Sequence, residues 1–290
     1  MEGPSLYLAA EQLQPFAGRA IQKVSGNSKI GIERLRGQTP SEIFAWGKHL
    51  VFQFDDFALR VHFMLWGTFA ATVEGVSVTG DYRRGGPPRL VLEFANGEIT
   101  MWAASVKFVE VPSARSTYDF SANVMSDEWD PRAAIKKVKA FPRAEIADVL
   151  LDQSIFAGVG NIIKNEVLFR TRVSPFTKVR NISPHKLRAI VADARAFSFR
   201  FLELRRNFSL RKNLEVYGRS VCPRCGGKVA RRIHGQRARR SFFCAPCQGV
   251  RLSGLSKKPI PRSSAGKNIR TAPRRDAAAR TRRKKPRARA

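Results

Sequence analysis

Acidic residues are scarce in this sequence. Its 290 residues hold 23 Asp and Glu against 53 Lys and Arg, a formal net charge of +30. That balance excludes an acidic, self-solvating chain and points to a polyanionic partner. No apolar run approaches the ~18–20 residues of a membrane-spanning helix, so no membrane partner is expected. The opening residues lack the basic, then apolar, then small-residue order of a signal peptide, which argues against an oxidising compartment. Cysteine is rare too, with four in all, and all of them fall between residues 222 and 247. No internal repeat is visible.

What is present is therefore concentrated. The cysteines form two Cys-x-x-Cys pairs, Cys222/Cys225 and Cys244/Cys247, with 18 residues between them. Each pair can span one edge of a tetrahedron, so the spacing predicts a four-cysteine zinc ribbon holding one structural Zn2+. Two disulfides or buried free thiols are the alternatives. Gly226-Gly227 follows the first pair, where a chain turning around a metal needs positive φ. From Cys222 to Cys247 lie seven Lys and Arg and no acid, more positive charge than four thiolates on zinc require. Guanidinium groups on such a tip suit phosphate.

The rest of the chain divides by periodicity. Leu6, Ala9, Ala10, Leu13 and Phe16 recur at helical spacing after Pro4, predicting an opening helix stopped at Gly18. Period-two segments then predict strands at Ile43–Trp46, His49–Phe54, Leu59–Leu65, Arg89–Phe94 and Glu98–Trp102, with Asn96-Gly97 read as a hairpin turn. Short strands parted by turn residues imply an antiparallel sandwich or barrel. Helical patterns follow at Arg132–Val138, Arg143–Leu151, Val159–Arg170 and Pro184–Leu204. Beyond Gly254 the chain carries 14 Lys and Arg against one acid, Asp276, and reads as a disordered basic tail. The divisions expected are 1–125, 130–214, 215–251 and a tail at 252–290.

Five motifs in order then carry a resemblance. Asp152-Gln153-Ser-Ile-Phe-Ala-Gly158-Val-Gly160-Asn161-Ile-Ile-Lys-Asn-Glu166 resembles the turn and second helix of the helix–two-turn–helix motif of the formamidopyrimidine-DNA glycosylase and endonuclease VIII family. Glu2-Gly3-Pro4 resembles its active-site terminus, Trp46-Gly47-Lys48 its Gly-Lys strand, and His62-Phe63-Met64-Leu65-Trp66-Gly67 its base-displacing strand end. Val216-Tyr217-Gly218-Arg219 with the four cysteines resembles its C-terminal module. The resemblance implies an α+β protein: an N-terminal two-layer β-sandwich with an opening helix, a helix–two-turn–helix domain and a four-cysteine zinc ribbon.

It also implies base flipping at damaged or abasic DNA, and Schiff-base chemistry at an N-terminal amine followed by strand elimination. On this reading Met1, Glu2 and Lys48 are catalytic, and Met64, Leu65 and Trp66 fill the vacated stack. Asn161 binds phosphate, and so does a ribbon arginine. Counting back from Cys244 selects Arg239, whereas Gln236-Arg237 matches the family's Gln-Arg pair; a two-residue insertion separates the two. Proline, the usual nucleophile, is missing between Met1 and Glu2, so the Met1 α-amine is expected to replace it, with Lys48 as the substitute. Ser5 and the short stretch before Val216 lean towards the endonuclease VIII branch and oxidised pyrimidines. The expected particle is a monomer in the nucleoid-bearing cytoplasm of a bacterium or the nucleus of a eukaryote. The rival readings are a binder of damaged DNA that has lost its nucleophile, and an RNA-binding ribbon protein.

Overall fold

The computed structural model describes residues 1–79 and 86–251; the basic tail lies outside the described residues. Helix α1 (Gly3–Leu13) buries Leu6, Ala9, Ala10 and Leu13, the stripe visible in the sequence. Seven strands follow: β1 (Ile21–Ser25), β2 (Glu42–Trp46), β3 (His49–Gln53), β4 (Ala58–Val73), β5 (Val76–Thr79), β6 (Leu90–Phe94) and β7 (Gly97–Val109). They pair in the order β1-β6-β7-β4-β3-β2, with β5 on the far half of β4 and every pairing antiparallel.

The two long strands make this one path into two layers. The first half of β4 pairs with β3, and its second half with β5, while β7 pairs along both. Between the halves the register jumps from Phe63↔Ala104 to Thr68↔Trp102, so Met64–Gly67 stand opposite Ala103 alone. A bulge of this size bends a strand sharply. Phe52, Leu59 and Phe63 from one half meet Phe69, Leu92 and Met101 from the other, with α1 packed against the same cluster.

The helical part begins with α2 (Pro131–Lys139). Asp130 caps it by accepting from the amides of Arg132 and Ala133. Helices α3 (Ile146–Val149), α4 (Asn161–Arg170), α5 (Pro184–Arg206) and α6 (Leu210–Asn213) follow. Ser183 and Pro184 start α5 in the same cap-then-proline manner. Phe156, Ile163, Val167, Ile190, Phe197 and Phe201 form a second core. Glu166 of α4 is fully buried and accepts from the amides of Glu215, Val216 and Tyr217, which anchors the connection to the last unit. That unit is a hairpin of β8 (Val229–His234) and β9 (Arg239–Cys244).

Three sequence expectations change. The helix expected at 143–151 is only four residues, because Asp152 turns the chain by accepting from the Ser154 amide and hydroxyl. The hairpin turn lies one residue earlier than expected: Phe94 pairs with Gly97, so Ala95-Asn96 form the turn and Gly97 opens β7. Strand β1 went unrecognised because only Ile21 and Val24 of its five residues are buried, a spacing that is not alternation.

Candidate active site

Glycines bring three distant segments into contact. The Gly3 amide donates to the Gly158 carbonyl at 2.8 Å. A Cβ at Gly3 would lie 2.6 Å from the Gly158 Cα, and one at Gly160 would run into the carboxylate of Glu2. Gly47, at φ +55, opens the two-residue turn joining β2 to β3 and presses against Ala157 and Gly158. The start of the chain, the Gly47-Lys48 turn and the Gly158–Gly160 turn thus meet at backbone distance, which side chains would forbid.

At this junction Glu2 reaches the first turn of α4. Its carboxylate accepts from the Ile162 amide at 2.7 Å and the Ile163 amide at 3.2 Å. The start of a helix presents unpaired N–H groups and the positive end of its dipole, and the Glu2 carboxylate satisfies two of those groups. Two amines share the site. Burial lowers the Met1 α-amine below its ordinary 8.0, with Glu2 opposing and Lys48 and Arg205 adding to the fall. Burial pushes Lys48 down to about 8, again opposed by Glu2 and assisted by Arg239 and Arg237. Desolvation thus acts on both amines, and brings Lys48 far below the ordinary lysine range. Asn161 begins α4 beside them, with its carboxamide oxygen buried.

The four cysteines converge. Their sulfurs all lie within 4.8 Å of one another, with Cys222–Cys247 at 3.8 Å and Cys225–Cys244 at 3.5 Å. A tetrahedral ion with metal–sulfur distances of about 2.3 Å places its sulfurs roughly 3.8 Å apart, so the set could hold a metal ion. Gly226 takes φ +69, as the turn around the first pair requires, and its amide donates to the Cys222 carbonyl. Gln248 closes the second pair by accepting from the Cys244 amide.

Similarity to known proteins follows the same three parts. The formamidopyrimidine-DNA glycosylase H2TH domain matches residues 122–203, from the approach to α2 to the end of α5. Mouse (Mus musculus) endonuclease 8-like 3 is 27% identical over 249 residues, covering 85% of this chain and 40% of that protein. A probable endonuclease 8 2 of Streptomyces coelicolor is 28% identical over 266 residues, covering 85% of this chain and 93% of that one. The Lactococcus lactis formamidopyrimidine-DNA glycosylase, solved bound to DNA containing an abasic site, superposes with a TM-score of 0.73. The two are 20% identical, over 86% of this chain and 99% of the other, a likeness of fold. The chain carries the H2TH domain of the formamidopyrimidine-DNA glycosylases and is similar along most of its length to endonuclease 8 proteins. It spans only about two fifths of the length of the endonuclease 8-like 3 proteins it matches.

The remaining candidate residues fall into two groups. Met64, Leu65 and Trp66 occupy the bulge of β4 and are 52%, 71% and 59% exposed, which rules out a place in the core. The ribbon arginines separate by pairing: Arg237 pairs with Asp152 at 3.2 Å, whereas Arg239 forms no ion pair among the described residues, and both lie close enough to depress Lys48. Sequence reasoning missed three groups at the site. Burial, and then the charge of the Met1 amine, lower His62 below its ordinary 6.5, and its ring lies 5.2 Å from that of His49, which burial drives to about 3. Arg205, at the end of α5, acts on the Met1 amine. Lys164 is buried in α4 and pushed down to about 7. His62 and Lys164 stood inside motifs already named; Arg205 carried no local signal.

Proposed function

We propose that this protein is a DNA glycosylase with abasic-site lyase activity, acting through the α-amine that precedes Glu2. Residues 1–125 form the catalytic half, 130–214 the helix–two-turn–helix half and 215–251 the ribbon. The observation that carries the reading is Glu2, a carboxylate fixed by two amides at the start of α4 with an amine of lowered basicity beside it.

The chemistry follows from these groups. The unprotonated Met1 amine attacks C1′ of an extruded nucleotide, the C1′–N bond breaks, and the base leaves with its bonding pair and a proton. A proton then passes from nitrogen to O4′ as the C1′–O4′ bond breaks, which opens the sugar as an imine. Protonation of that imine makes it an electron sink, a step proline would not need. Removal of a C2′ proton then expels the 3′ phosphate, and water releases an unsaturated aldehyde end. Glu2 exchanges these protons, and Lys48, with Asn161 and Arg239, binds the phosphates on either side. Met64, Leu65 and Trp66 fill the gap in the stack.

The cysteines hold zinc as a structural ion, since four thiolates leave no open position for water. The partner is damaged or abasic DNA, with oxidised pyrimidines the preferred lesions. Among the described residues no helix is long and apolar enough to cross a membrane. The test is incubation with an oligonucleotide bearing one abasic site. Strand scission leaving the unsaturated aldehyde is expected; tight binding to an intact strand would instead leave a binder without chemistry.

A further inference from the structure

One edge of β9 pairs with β8, and the other is finished by side chains of α4. Asn165 accepts from the Phe242 amide at 2.8 Å, and Lys164 donates to the Arg240 carbonyl at 3.2 Å. From Lys164 a chain of hydrogen bonds runs through the interior. Lys164 Nζ donates to Ser241 Oγ at 2.8 Å, and Ser241 Oγ lies 2.7 Å from His234 Nε2. His234 Nδ1 lies 2.6 Å from Glu145 Oε2. With the His234 proton placed on Nδ1 the chain runs in one direction: Lys164 to hydroxyl, hydroxyl to imidazole, imidazole to carboxylate. Lys164, Ser241 and His234 are all buried.

The chain sits where register matters. His234 pairs with Arg239, and Ser241 lies two residues further along β9, so all three share the face turned to the helices. A slip of one residue would put Arg240 on that face and Ser241 outside. Beyond the turn, Asp148 accepts from the amides of Gln236 and Arg237, and Asp152 pairs with the Arg237 side chain. The helices thereby engage Arg237 in an ion pair and leave Arg239, exposed on β9, without one among the described residues. Burying an ammonium against neutral oxygens is costly, and an apolar side chain of equal length would avoid that cost. Its presence points to positioning.

We infer that Lys164, Ser241, His234 and Glu145 form a register lock that makes Arg239 the arginine offered to DNA phosphate. The inference rests on the DNA-binding role proposed above and adds the residues that select among the ribbon arginines. Lys164 and Ser241 are positioning residues that act through Arg239.

The test uses the full chain and a duplex carrying a tetrahydrofuran abasic analogue, titrated at several salt concentrations. Arg239→Ala should weaken binding roughly tenfold and reduce the salt slope by about 0.9, the signature of one lost phosphate contact. Ser241→Ala should reproduce both effects, and the double variant should bind no worse than Arg239→Ala alone. Ser241→Thr should restore binding. Lys164→Met should lose affinity in the same way while melting no lower than the parent and keeping its metal, a dissociation that a merely structural lysine would not produce. Additive losses in the double variant, or an unchanged salt slope in Ser241→Ala, would overturn the lock. An Arg239→Ala protein that binds and responds to salt like the parent would overturn the phosphate grip itself, and the lock with it.

Discussion

The junction around Glu2 and the hairpin carrying Arg239 both dock on α4, and they are held in opposite ways. At the junction the fit is made by main chain: Gly3, Gly47, Gly158 and Gly160 let three segments approach, and amides of α4 bind the carboxylate. At the hairpin the fit is made by side chains from scattered positions, Glu145, Asp148, Lys164 and Asn165, acting on a two-stranded ribbon. A backbone fit tolerates no added atom. A side-chain fit loses one partner at a time, so its failures are graded.

The largest effect should therefore come from breaking the junction. Gly160→Ala places a methyl group in the Glu2 carboxylate. Misplacing one catalytic group by about 1 Å costs on the order of 10²-fold in rate. Single-turnover scission of an abasic strand should fall by at least that much, while metal content stays at one ion per chain.

The difference between the two regions also explains what was legible beforehand. Glycine motifs announce a backbone fit, because close approach demands glycine at fixed places, and Glu2-Gly3, Gly47-Lys48 and Gly158–Asn161 were all visible. The helices α1, α2 and α5 were readable from Pro4, Asp130-Pro131 and Ser183-Pro184, whose side chains or fixed φ make the first turn. The register lock was not readable, since Lys164, Ser241, His234 and Glu145 are single polar residues that chain order does not bring together. The double-layered sheet was hidden for a related reason. Strand β4 runs for 16 residues, but the exposed Met64, Leu65 and Trp66 of its bulge interrupt alternation, so only its first half looked like a strand.

That bulge sharpens the comparison with a smaller effect. Its apolar side chains touch DNA only after the duplex opens, and unstacking costs a few kcal/mol per step. Leu65→Ala with Trp66→Ala should slow base removal from duplex by roughly ten- to a hundredfold, and scission of a single-stranded abasic site by far less. Equal losses on both substrates would place the wedge elsewhere.

The smallest expected effect is in pH dependence, where both amines contribute with opposite sign. The Met1 amine must be unprotonated, and burial brings its pKa below 8.0, so kcat/KM should rise with pH over that lower range. Lys48 must be charged to bind phosphate and is pushed down to about 8, so kcat/KM should fall as pH passes that value. The profile should be a bell with a narrow top. Lys48→Arg should remove the falling limb, because guanidinium keeps its charge.

The central claim is that the nucleophile is the amine beside Glu2. Borohydride reduction of the enzyme on an abasic oligonucleotide traps the imine as a stable secondary amine, and peptide mass mapping then locates it. The account predicts one cross-link, on the α-amine of Met1 in the peptide containing Glu2, and its loss when Gly160→Ala disturbs the carboxylate. A cross-link on Lys48, or none in a protein that binds the abasic strand tightly, would contradict it.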